Sequence, residues 1–175
     1  MTFAITVGRF QTPSIDEHPG YCYLIQEALK TKDEIVFVLG CREDQNERNI
    51  LSFENRSEMI SNYMSRIYPD RNFHIRSIFD VDDNNLWYSN LDKIVNEYGK
   101  DSSILIGSRD SFLDFQWNFP CTTIKLQGVG DFSSSKIRQS IMSGNLINED
   151  LHEGARELRN KLAYTIYSYL ENLRE

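Results

Sequence analysis

Residues 8–21 run Gly8-Arg9-Phe10-Gln11, then Thr12-Pro13-Ser14-Ile15-Asp16-Glu17, then His18-Pro19-Gly20-Tyr21. Glycine lets a backbone come close to a ligand, and arginine offers a rigid fork of donors to phosphate. His18 and Gly20 stand before a helical pattern, where backbone N–H groups favour an anion. Far downstream, Ser133, Ser134 and Ser135 open another helical pattern, with Lys136 and Arg138 in its first turns. Hydroxyls, N–H groups and two cations converge there, as a triphosphate requires. Between these stretches, Arg42, Arg48 and Arg56 interrupt an acidic run, and Asn84-Asn85-Leu86-Trp87 sets an indole beside amides. Such a tryptophan can stack on a flat ring. Each group also has an ordinary counterpart: a plain loop with a solvated His18, a serine cap with surface cations, a solvated charged loop, a core tryptophan. No Ser/His/Asp or Cys/His arrangement suggests a covalent nucleophile. His74 and His152 read as structural or surface residues, and Asp16, Glu17, Asp82 and Asp83 have no metal-ligand spacing.

Short apolar runs that alternate with helical patterns must position these residues. Strands are expected at Phe3 to Val7, Glu34 to Gly40, Phe73 to Ile78, Ser103 to Gly107 and Thr122 to Leu126. The run Glu34 to Gly40 is almost continuously apolar, as in a strand buried on both faces. Helices are expected over Gly20 to Lys30, from a Ser52 cap to about Arg66, around Leu91, Ile94, Val95 and Tyr98, and after Ser133. Leu151, Ala155, Leu158, Leu162, Ile166, Tyr169 and Leu173 stripe a long closing helix. The alternation implies an α/β fold: one doubly wound, Rossmann-like domain with a five-stranded parallel sheet and a C-terminal helix. The expected domain is residues 1–175, with 145–175 as helical closure. Ligands in such folds sit at the carboxyl ends of the strands, and every group named above except His74 and His152 falls after a strand.

Bulk properties narrow the partners. The chain has 175 residues and a net charge of -7, which argues against general nucleic-acid binding, since phosphate neutralisation needs a basic surface. Its three cysteines, Cys22, Cys41 and Cys121, are scattered and fit a reducing compartment. No run reaches the length of a membrane span, so a cytoplasmic protein without membrane contact is expected.

In order and spacing, these motifs resemble the nucleotidylyltransferase superfamily with the H-x-G-H signature, and within it the nicotinamide-nucleotide adenylyltransferases of the archaeal and phage type. Those open G-R-F/M-Q-P-F-H-x-G-H; here Gly8 to Gln11 match and His18-Pro19-Gly20-Tyr21 stands at the signature. The family's R-[ND]-P-F-[ST]-x-x-E-R is similar to Arg48 through Arg56, and its N-x-L-W to Asn84 through Trp87. Its S-G-N is similar to Ile106-Gly107-Ser108, and its S-[GAS]-T-x-[IV]-R to Ser133 through Arg138. Two departures stand out. The segment between Pro13 and His18 is longer than the family's, and Tyr21 replaces the second signature histidine.

The resemblance implies adenylyl transfer from ATP to nicotinamide mononucleotide, or its acidic form, by direct in-line attack. It implies His18, Tyr21 and Arg138 as catalytic residues. ATP would be held by Gly8, Arg9, Phe10, Gln11, Gly20, Gly107, Ser133, Ser134, Ser135, Lys136 and Arg138. The mononucleotide would be held by Arg9, Phe10, Arg42, Arg48, Asn84 and Trp87. Mg2+ would accompany ATP without dedicated protein ligands, and the family's habit implies a homo-oligomer. Because Tyr21 lacks an imidazolium's charge, a nucleotide-binding sensor with weakened turnover is the alternative, as is transfer to another phosphate-bearing acceptor.

Overall fold

The continuous apolar runs become the interior of a sheet. The computed structural model describes residues 1–108, 112–114, 119, 121–130 and 133–174. Within them lie five strands: β1 (Phe3–Gly8), β2 (Glu34–Cys41), β3 (Phe73–Phe79), β4 (Ser103–Gly107) and β5 (Thr122–Lys125). All pair in parallel, in the order β3-β2-β1-β4-β5. Five α-helices are described: α1 (Pro19–Thr31), α2 (Phe53–Ile67), α3 (Asn84–Tyr98), α4 (Ser134–Met142) and α5 (Glu153–Asn172). The expected parallel sheet and C-terminal helix are both present. The strand order reverses beside β1, so Gly8 and Gly107, which end β1 and β4, flank the switch point where such sheets receive ligands.

The chain forms two compact units. One comprises Met1–Arg9, Tyr23–Arg42 and Arg71–Val129 and contains the sheet. The other comprises Phe10–Cys22, Glu43–Asp70 and Gly130–Glu175. The core of the first is built from one face of the strands, with Ile5, Val36, Val38, Ile78 and Leu105, and from Leu91, Ile94 and Val95 of α3. The register sets Ile5 level with Val36 and Leu105, so one pleat face is apolar across three strands. β4 is buried throughout and β5 is largely exposed, as befits a central and an edge strand.

The second unit is helical. In α2, Arg56, Met59, Ile60, Tyr63 and Met64 are buried, at the spacing of one helical face, and Ser52 caps the helix by accepting the Asn55 N–H. α5 packs on both α2 and α4. Its buried positions are Ala155, Arg159, Leu162, Ala163 and Ile166, which corrects the apolar stripe read from sequence. Leu158 is half-buried while Arg159 occupies the interior slot, and Leu173 lies past the helix end, 53% exposed. A terminal residue has no neighbouring turn to bury it.

Leu105 is wholly buried in β4, so Leu105→Ala is expected to lower unfolding free energy by roughly 2–5 kcal/mol. Denaturant titration measures this; a loss below about 0.5 kcal/mol would contradict the assigned core.

Candidate active site

In the second unit, the chain leaves the sheet through a strained residue. Phe10 has φ of 49°, the left-handed region, which costs a non-glycine residue on the order of 1–2 kcal/mol. Its ring lies against Tyr21, with centroids 4.5 Å apart. The other neighbour of Tyr21 is His18, stacked at 3.8 Å. Three rings thus form one pile, and such contacts add roughly 0.5–1.5 kcal/mol each beyond simple burial.

His18 also caps α1. Its Nδ1 accepts the Tyr21 N–H at 3.2 Å, and its carbonyl accepts the Tyr21 and Cys22 N–H groups. Pro19 takes the first helical position, where its missing N–H costs nothing. Gly20 completes the arrangement. A Cβ there would lie 3.2 Å from His18 Cε1 and 3.3 Å from Nδ1, so the imidazole rests where any other side chain would begin. The capped Nδ1 is an acceptor, which leaves the proton of the neutral ring on Nε2 as a donor.

Tyr21 Oη lies 3.2 Å from Ser134 Oγ in the first turn of α4. Ser133 caps that helix by accepting the Lys136 N–H. Arg138 donates from Nη2 to Ser135 Oγ and from Nη1 to the Gln11 carbonyl, at 3.2 and 3.1 Å. The Gln11 side chain holds the backbone at Leu51, donating to its carbonyl and accepting its N–H, so its role in this structure is to fasten the 49–51 segment. Phe10, Gln11, His18, Gly20, Tyr21, Ser134, Ser135 and Arg138 are therefore gathered in one unit. Lys136 is exposed on α4, and Arg48 is exposed in the turn closed by Asn49 N–H to the Asn46 carbonyl.

The gathered rings are neutral. Burial lowers the His18 imidazole to about 4, with a backbone hydrogen bond partly offsetting it. Burial pushes the Tyr21 phenol up, with Ser134, Arg138 and Arg56 partly offsetting it. Positive charge must come from arginine and lysine. Arg56, whose neighbours in the sequence suggest a solvated charged loop, is one source; it is 1% exposed, with Nε donating to the Ser52 carbonyl.

The first unit carries the remaining residues. Arg9 pairs with Asp80 at 2.9 Å, and Arg42 faces Asp82 at 3.8 Å. Asp83 caps α3, so Asn84 to Trp87 form the first turn of a helix. Asn84 is exposed, and Trp87 is half-buried against the core, its ring centroid 6.4 Å from that of Phe112. Gly107 ends β4 and its carbonyl accepts the Leu126 N–H.

Among the described residues no three His, Cys, Asp or Glu side chains gather as a metal site. The gathered set of hydroxyls, N–H groups and guanidinium suits phosphate oxygens, and it suits a metal only as a passenger on those oxygens. No helix among the described residues is long and apolar enough to cross a membrane.

The family model described as cytidylyltransferase-like matches residues 5–140. Among solved structures, the fold is similar to a bifunctional NMN adenylyltransferase/ADP ribose pyrophosphatase from Francisella tularensis. The TM-score is 0.75 at 22% identity, covering 99% of this chain and 54% of that one. A structure of such an enzyme from the same organism, complexed with AMP and a manganese ion, gives 0.73 at 21% identity, covering 97% and 51%. The chain spans about half the length of these proteins. No curated protein sequence matches it.

Proton NMR of His18 is expected to give a titration midpoint near 4. The folded state then resists protonation more than the unfolded chain, whose histidine titrates near ~6.5. The stability tied to a neutral His18 is full above about 6.5 and declines as pH falls from there through 4. A midpoint near the ordinary value would mean a solvated ring.

Proposed function

The chain belongs to the cytidylyltransferase-like family, and on that premise we propose that it transfers the adenylyl group of ATP to nicotinamide mononucleotide or its acidic form. An oxygen of the acceptor's phosphate attacks the α-phosphorus, the bond to the β-phosphate breaks, and pyrophosphate leaves. The dinucleotide product is NAD, or its deamido form from the acidic acceptor. No covalent enzyme intermediate is needed. The work is to align two polyanions and stabilise the charge that builds up in transit.

One observation carries the reading: His18 Nε2, Tyr21 Oη and the Arg138 guanidinium, gathered with the serine-capped start of α4. In this assignment His18 donates from Nε2 to a phosphate oxygen. Arg138, Lys136 and the Ser133–Ser135 helix start hold the β- and γ-phosphates. Tyr21 supplies one neutral donor where the family's pattern has a second histidine. Gly8 and Gly107 permit close approach of the nucleotide, and Gly20 serves it by leaving room for the His18 imidazole. Arg9, Arg42 and Arg48 neutralise the acceptor's phosphate, exchanging carboxylate partners for phosphate where they have them. Asn84 bonds the carboxamide and Trp87 stacks on the pyridine ring. Mg2+, carried by the triphosphate, supplies charge neutralisation and takes its ligands from phosphate and water. The Francisella neighbours, named as NMN adenylyltransferases, support the choice of acceptor.

Incubation with ATP, magnesium and the mononucleotide is expected to yield NAD and pyrophosphate by mass. His18→Asn keeps a good helix cap but removes the Nε2 donor, so kcat should fall about 10²–10³-fold with the fold intact. Retained ATP affinity without pyrophosphate release in the unaltered protein would instead select a nucleotide sensor, which the neutral His18–Tyr21 pair favours. Trp87→Ala is expected to raise KM for the mononucleotide more than for ATP; an equal rise for both would remove the stacking assignment.

A further inference from the structure

The segment just before His18 is held from two helices of its own unit. Asp16 receives Arg66 Nη2 of α2 at 2.7 and 2.6 Å on its two oxygens, and Ser14 Oγ at 2.9 Å. Glu17 receives Arg159 Nε of α5 at 2.9 Å on one oxygen and Asn148 Nδ2 at 3.0 Å on the other. Between these anchors Ile15 is fully buried, and its carbonyl accepts the His18 N–H at 2.9 Å. Arg159 is 3% exposed, and its remaining donors go to the Leu146 and Asn145 carbonyls and to Asn160 Oδ1.

A buried arginine in an apolar stripe calls for an explanation. An apolar side chain of similar volume in that slot, with its partner neutralised, often serves stability as well or better. What an apolar residue does not supply is a fixed direction. The planar fork of Arg159 sets the Glu17 carboxylate at one point, and Glu17 is the residue directly before the cap. The family match ends at residue 140, and α5 begins at Glu153, so the residues that hold Glu17 lie outside the shared region.

We propose that Arg159 and Asn148 act as positioning residues for His18, holding through Glu17 the loop that aims its Nε2, so that the C-terminal helix belongs to the catalytic apparatus. Asp16 and Arg66 form the matching anchor on α2. The functional half of this rests on the adenylyl-transfer reading; the placement of His18 stands by itself.

The test reads placement and turnover separately. The chain has three histidines, and the His18 Cε1–H resonance is identified by its loss in His18→Asn. Stacking on Tyr21 at 3.8 Å should displace that resonance by ring current. Glu17→Ala and Arg159→Met are expected to move it toward the solvated position and to lower kcat by up to about 10²-fold, with KM for both substrates changed far less. Asn148→Ala, which removes one hydrogen bond, should move it the same way by less, and it carries the test with Glu17→Ala if Arg159→Met does not fold. A folded Glu17→Ala protein with an unmoved His18 resonance overturns the proposal, as does a moved resonance with unchanged kcat. If the unaltered protein makes no NAD while the resonance moves in the variants, the adenylyl-transfer reading falls and the placement remains.

Discussion

The second unit's site depends on one hydrogen bond, from the Tyr21 N–H to His18 Nδ1. It does three things at once. It gives the Tyr21 N–H, which the His18 carbonyl also accepts, a side-chain acceptor at the start of α1. It fixes the tautomer, because an acceptor at Nδ1 puts the proton on Nε2. And it brings the imidazole flat over the first helical turn, where Tyr21 can stack on it and Gly20 can leave it room. Change the bond and the ring pile, the helix entry and the direction of the free nitrogen change together.

His18 and Tyr21 set a neutral imidazole and a neutral phenol side by side. Such donors are worth little in water and more where water is excluded, provided they need not reorganise. His18 is 7% exposed and Tyr21 lies between two rings, so packing holds both in place. Arg138 and Arg56 bring full positive charge to bear on the Tyr21 phenol. The rings are oriented but uncharged, and the charge lies on guanidinium groups.

Much of this was legible in the sequence, for local reasons. β4 spans Ser103–Gly107 as its apolar run and terminal glycine indicate, and Ser52 and Ser133 cap the helices they precede. The parallel sheet follows from alternation alone. Less legible was whatever depends on long-range partners. The Glu17–Arg159 pair joins positions 142 apart, and nothing in either neighbourhood announces it except a cation standing at an interior helical spacing. Gln11 follows a strand, and nothing near it in the sequence indicates that its amide bonds Leu51, 40 residues on. Asn84 to Trp87 are expected after a strand, and the cap at Asp83 makes them the first turn of α3.

Phe10 is a position where backbone and side chain ask for different amino acids. At φ of 49° the main chain would be most at ease with glycine. The ring, 1% exposed and stacked on Tyr21, is worth more than that ease: burying a phenylalanine contributes about 1.5–3 kcal/mol, against roughly 1–2 for the strained backbone. The balance is narrow and closes the usual routes of sequence drift. Glycine would relax the turn and empty the pile. A β-branched residue would keep some bulk and worsen the strain. Only another flat ring satisfies the pile without adding to the cost, so the residue that hands the chain from β1 to the loop before α1 is among the least exchangeable in the molecule.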